Sequence, residues 1–289
     1  MMTKFILEEY ITGLEQISDT GYMTYYSKGA KERAYSLSKY AENGFQYLNK
    51  YFKTENQMPL LVLDQEDWEK RLQVMYGAFN SDKGCLHFPA DKINPFIEAM
   101  KPLYENCPEE YREKLKNIIG SDKAPFLKGL QIYFDSKVVH EMTHPSMKNM
   151  KIDFGQRWIT EFFCDYVNYS FLQNQKQEYR EYLEVQKLIP SILFEAALPY
   201  AEYQRLEDFD NFWEEDASGL KMLGSPLNLI WFYVKGMRGV IDLYELFGED
   251  FISCAIESYV PTNDLLVKRI GAAHEGIGNW FKEWIKKNQ

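Results

Sequence analysis

The chain has 289 residues, 45% of them hydrophobic and 26% charged, with four histidines and four cysteines. Its 43 acidic and 33 basic residues leave a net charge of −10. That field repels a phosphate backbone, and the composition is globular rather than disordered or fibrous. No nucleic-acid partner is expected, because the densest basic stretch, Lys282 to Lys287, reads as two turns of a solvated helix face. No membrane partner is expected either. The longest apolar run, Leu227 to Val234, holds Asn228 and falls far short of the ~18 residues of a span. The opening residues Met1 to Glu9 set three apolar side chains against two acids, too few for an export signal. Cys85, Cys107, Cys164 and Cys254 form no CxxC pair, so reduced thiols and a cytoplasmic location are expected.

In chain order, residues 4–18 carry apolar positions at helical spacing (Phe5, Ile6, Tyr10, Leu14, Ile17), and Thr20-Gly21 breaks the pattern. Tyr22 to Tyr26 is short and aromatic, as a strand is. Ala30 to Phe52 repeats Ala34, Leu37, Ala41, Phe45, Leu48 and Phe52 along one helical face. Pro59 to Leu63 is an apolar strand, Asp67 to Met75 a helix, and Gly84 to Pro89 a short strand whose bounding Gly and Pro suit a sheet edge. Thereafter helices are expected near 94–103, 109–118, 126–144, 157–172, 176–188, 190–205, 226–247 and 264–285. A small sheet in the first ninety residues followed by helices predicts an α+β fold. The polar loop 145–156, with Pro145 and Gly155, places a seam between an N-terminal mixed lobe (1–147) and a C-terminal helical lobe (148–289).

One stretch carries chemistry. Val138-Val139-His140-Glu141-Met142-Thr143-His144 holds HExxH, and Leu130, Phe134, Val138 and Met142 set it on a helix. His140 and His144 then lie one turn apart on one side, so both imidazoles can bind one tetrahedral metal, with Glu141 beside them. Beyond sixteen intervening residues after His144, Glu161, Asp165 and Asn168 share one face of a helix otherwise built from Trp158, Ile159, Phe162, Phe163, Tyr166, Val167, Tyr169 and Phe171. An acidic stripe on a buried helix needs a satisfier, and a cation is the natural one. Glu161 is the expected third ligand, and Asp165 the acceptor that fixes a histidine's ring N–H.

HExxH followed by E-x-x-x-D resembles the gluzincin class of zinc metallopeptidases, the thermolysin and aminopeptidase N superfamily. The specific likeness runs over roughly residues 134–170 and includes Trp158 three positions before Glu161. It implies a zincin-like fold with the active site between two lobes. It also implies one Zn2+ held by His140, His144 and Glu161, with Glu141 as general base and Asp165 orienting His140. The strand at Gly84 to Phe88, with Cys85, Leu86 and His87, is implied to pair with an extended peptide or protein substrate. A later tyrosine or histidine is implied to stabilise the oxyanion: Tyr233 on the 226–247 helix, or His274.

This chain departs from the class at two places: Pro145 directly follows His144, where a helix is expected to end or kink, and Phe162 replaces a glycine common after the glutamate. The acidic run from Glu207 to Asp216 lacks the spacing of a calcium loop and reads as a solvated face. A competing function is a non-catalytic binding or scaffold protein that keeps the metal. A di-iron centre is set aside, because neither His87 nor His274 has a glutamate three positions before it.

Overall fold

The computed structural model describes residues 8, 10–53, 57–72, 76–77, 84–91, 97, 108–120, 125–197, 206, 226–257 and 270–288. The expected helix at 94–103 lies almost wholly outside the described residues, as do 198–205, the acidic run 207–216 and 264–269.

Strands β1 (Glu15–Gln16), β2 (Thr24–Tyr26), β3 (Leu60–Leu63) and β4 (Leu86–Pro89) form one mixed sheet in that order. β1 is antiparallel to β2, with Glu15 opposite Tyr26, whereas β2–β3 and β3–β4 are parallel, with Leu61 opposite both Tyr25 and His87. The helix expected through residue 18 stops earlier. Gly13 adopts φ 84°, a left-handed conformation open to glycine, and the chain then extends into β1.

Parallel neighbours require crossovers, and α1 (Lys31–Phe52) carries the chain from β2 to β3. β3 and β4 are buried on both faces, which is why β3 reads as an unbroken apolar run. Leu60, Val62, Leu86 and Phe88 join the core under α1; Leu61, Leu63 and Cys85 pack with Trp68 and Leu72 around α2 (Gln65–Arg71). Asp64 caps α2 by accepting from the Asp67 N–H at 2.8 Å.

The remaining helices are α3 (Glu109–Ile119), α4 (Pro125–Asp135), α5 (Val138–Asn149), α6 (Arg157–Asn174), α7 (Arg180–Ala197), α8 (Pro226–Phe247), α9 (Asp250–Glu257) and α10 (Glu275–Asn288). The fold is α+β, mainly helical with a small mixed sheet, as the sequence predicts. No helix among the described residues is long and apolar enough to cross a membrane.

Several boundaries differ from expectation. The single helix expected over 126–144 is two. The Ser136 hydroxyl donates to the Tyr133 carbonyl at 2.6 Å, and the Lys137 N–H bonds three residues back, to Phe134, so the ladder breaks between α4 and α5. Pro145 does not end the HExxH helix, for α5 continues to Asn149 with the proline inside it. Likewise the two helices expected on either side of residue 189 are one, α7, with Pro190 inside. At both sites the packing around the helix outweighs the one backbone hydrogen bond that a proline removes. Helix α9 was not expected; at eight residues it is too short to show a period.

Helix α5 packs between α1 and α6, and α8 packs against α6 and α7. The approach of α1 to α5 is tight at Gly44, where a Cβ would stand 2.5 Å from Val139 Cγ2. Helix α6 is buried from Ile159 to Leu172 at every position but Thr160.

Candidate metal centre

The HExxH spacing works as the helix period requires. His140 and His144 lie one turn apart on α5, with ring centroids 5.1 Å apart and their Nε2 atoms 3.3 Å apart. Helix α6 brings Glu161 against them: its Oε2 stands 3.2 Å from His140 Nε2 and 3.8 Å from His144 Nε2. Ligands of a tetrahedral zinc, each ~2.0–2.1 Å from the ion, stand about 3.3 Å apart, and these three atoms form a triangle of that size. Among the described residues they are the one His/Cys/Asp/Glu group whose ligand atoms converge in this way. His140 and Glu161 are 2% and 7% exposed, and His144 is half-buried.

The outer ring nitrogens are occupied. His140 Nδ1 donates to Asp165 Oδ1 at 2.7 Å, the acceptor role the sequence assigns to Asp165. A carboxylate can only accept, so that bond fixes the Nδ1–H tautomer and leaves Nε2 for a cation. His144 Nδ1 lies 3.5 Å from Cys164 Sγ, on the next turn of α6 from Glu161. Cys164, read from sequence as a buried thiol, is indeed fully buried, and burial followed by Glu161 and Glu141 pushes its pKa well up.

The electrostatics are those of crowded carboxyl groups held by cations. Burial pushes the Glu161 carboxyl up, but His144, His140 and Arg157 outweigh it and hold it at about 2. Asp165 follows the same balance: burial raises it, and Lys137 and His140 return it to about 2. Burial lowers the His140 pKa, but Asp165, Glu161 and Glu141 more than reverse this and carry it to about 10.

Lys137 and Arg157 complete the cluster, and the sequence reading passed over both. The Lys137 ammonium reaches Asp165 Oδ1 at 2.5 Å, and the Arg157 Nε lies 3.7 Å from Glu161 Oε1. The available clue was a surplus: a three-ligand site uses one acid of the α6 stripe, and a second buried acid calls for a second cation. Asn168, the third polar residue of that stripe, is fully buried, and its amide has no hydrogen-bond partner among the described residues.

The other expected site residues fall as follows. Glu141 is buried on α5, with Oε1 3.9 Å from His140 Nε2. The Tyr233 hydroxyl, from α8, stands 3.5 Å from Glu161 Oε2, and burial followed by Glu161 raises its pKa, so it remains a phenol. His274 is engaged elsewhere: its Nδ1 accepts the Ile277 N–H at 3.3 Å near the start of α10, and its ring packs on Phe247. Cys85, Leu86 and His87 are all buried around the start of β4, the edge of the sheet among the described residues. His87 turns to the α2 face against Trp68, with ring centroids 6.2 Å apart.

A pocket beside the triad is lined by Trp158, Glu161, Phe232, Tyr233, Gly236 and Trp284, among others. It puts apolar walls next to the ligand carboxylate. Comparison of the chain with protein families, with curated proteins and with solved structures finds no match in any of the three.

Proposed function

We propose that the chain is a zinc-dependent peptidase of the gluzincin kind, with one zinc held by His140, His144 and Glu161. The observation that carries this reading is the triangle of 3.2, 3.3 and 3.8 Å between the three ligand atoms. That spacing stands on two packed helices, with Asp165 and Cys164 against the outer ring nitrogens. A bound zinc supplies a Lewis acid that polarises a carbonyl and makes a water acidic near neutral pH.

The chain's own residues do the rest. Glu141 takes a proton from the attacking water and hands it to the leaving amine. Tyr233, kept as a neutral phenol, donates a hydrogen bond where negative charge develops on the carbonyl oxygen. β4, the last strand of the sheet among the described residues, is the element that would meet an extended peptide, and recognition there would run through main chain, the side chains of Cys85, Leu86 and His87 being buried. The zincin-like arrangement belongs to this proposal: an N-terminal lobe of residues 1–147, a helical lobe of 148–289, and the site between them.

The test is metal analysis and peptide-library cleavage on wild type, His144→Ala and Glu141→Gln. We expect one zinc per chain in wild type, its loss in His144→Ala, and zinc retained without cleavage in Glu141→Gln. A wild type that is zinc-free and refuses added zinc would end the reading. Bound zinc with no cleavage across a broad library would instead favour a non-catalytic, metal-holding binding protein.

A further inference from the structure

The chain buries a lysine beside this centre, paired with Asp165. Lys137 is 4% exposed and Asp165 2%. A buried ion pair stabilises a protein little, and often less than apolar residues of the same volume would. The placement of Lys137 is what distinguishes it. Its backbone carbonyl accepts the Glu141 N–H at 2.9 Å, so it stands at the start of α5. In sequence, Lys137, His140, Glu141 and His144 fall at steps of three, one and three, which puts them on one stripe of the helix.

From there the side chain crosses to α6, where its ammonium shares Asp165 Oδ1 with His140 Nδ1, at 2.5 and 2.7 Å. The Tyr133 ring of α4 holds the same ammonium, 4.7 Å from its centroid. Two donors therefore converge on one carboxylate oxygen. With the ring bond alone, the carboxylate could turn about its broad terminal torsion and change which oxygen faces His140. With the ammonium in place, Oδ1 is pinned from two sides.

We propose that Lys137 is a positioning residue of the metal centre: it fixes the Asp165 carboxylate so that the His140 ring keeps its Nε2 directed at the cation. The inference rests on the metal reading above and adds a residue that the HExxH…ExxxD pattern does not contain. Lys137 touches none of the three ligands in this role; it acts through Asp165.

The experiment is a double-mutant cycle on the full chain with zinc itself as the probe, its affinity read by chelator competition. Wild type, Lys137→Met, Asp165→Asn and the double variant are compared. The double variant removes both charges together, so it leaves no unpaired buried ion and keeps the cycle usable if Lys137→Met alone folds poorly. Loss of a partner behind a metal ligand weakens binding by about 10- to 100-fold, and that is the expected effect of Lys137→Met. The double variant should bind no more weakly than Asp165→Asn alone.

The second readout is the His140 ring N–H resonance in folded, metal-free protein. It shifts in Lys137→Met if the lysine positions Asp165, and stays in place if the lysine only stabilises the fold. Zinc held equally by wild type and Lys137→Met, or strictly additive losses in the cycle, would overturn the inference alone. A wild type that takes up no zinc would overturn the metal reading, and this inference with it.

Discussion

Tyr233 is the residue on which the proposed chemistry depends most specifically, because α8 brings its hydroxyl within 3.5 Å of Glu161 Oε2 without making it a member of the triad. Removing one oxyanion donor lowers kcat by about 10²–10³-fold. Tyr233→Phe should therefore lose turnover on that scale, while zinc content and KM stay close to wild type. Unchanged kcat in a steady-state assay would remove Tyr233 from the mechanism. At this scale the sequence was informative wherever spacing decides. His140 and His144 are one helical turn apart by number alone, and Glu161 with Asp165 repeats that relation on α6. It named Asp165 behind His140 but was silent on the contacts of Cys164 and Lys137. Cys164 meets His144, and Lys137 meets Asp165, only because α5 and α6 lie side by side. No residue in the local sequence of α5 specifies that contact.

Among the elements, the pairing of α1 with α5 sets where the ligand helix lies. Gly44 is its closest point, and an added Cβ would meet Val139 Cγ2 at 2.5 Å. Overpacking a core costs about 1–3 kcal/mol, more than the ~1 kcal/mol that alanine gains over glycine within a helix. Gly44→Ala should accordingly lower the denaturant midpoint. Gly236→Ala on α8, where a Cβ has no neighbour within 4 Å, should leave it level or raise it. A Gly44→Ala variant as stable as wild type would show that α1 and α5 do not pack as described. Element type was largely legible in the sequence, because α1, α6 and α8 carry long apolar faces. Element ends were less so. Pro145 and Pro190 look like stops when only neighbours in sequence are considered, yet α5 and α7 run through them. Ser136, which looks innocuous inside an apolar row, is where the chain leaves the helical ladder, because its hydroxyl competes for the Tyr133 carbonyl.

Across the whole molecule, the four histidines divide by environment. His140 and His144 face Glu161, His87 packs against Trp68 on the far face of the sheet, and His274 caps the start of α10. Around the triad, the carboxyl groups of Glu141, Glu161 and Asp165 stand against the cations of Lys137 and Arg157. On the proposed reading, a bound divalent ion adds its charge to these cations and takes the place of the proton on His140 Nε2. The net charge of −10 holds no trace of this, since the carboxyl groups that matter are the few buried among aromatic side chains. Zinc K-edge absorption on the zinc-loaded protein reads the identity of the proposed ligands directly. Coordination by His140, His144 and Glu161 predicts a shell of nitrogen and oxygen at ~2.0–2.1 Å with two imidazoles and no sulfur. A sulfur shell at about 2.3 Å, which would bring Cys164 into the coordination in place of Glu161 or a histidine, would contradict it.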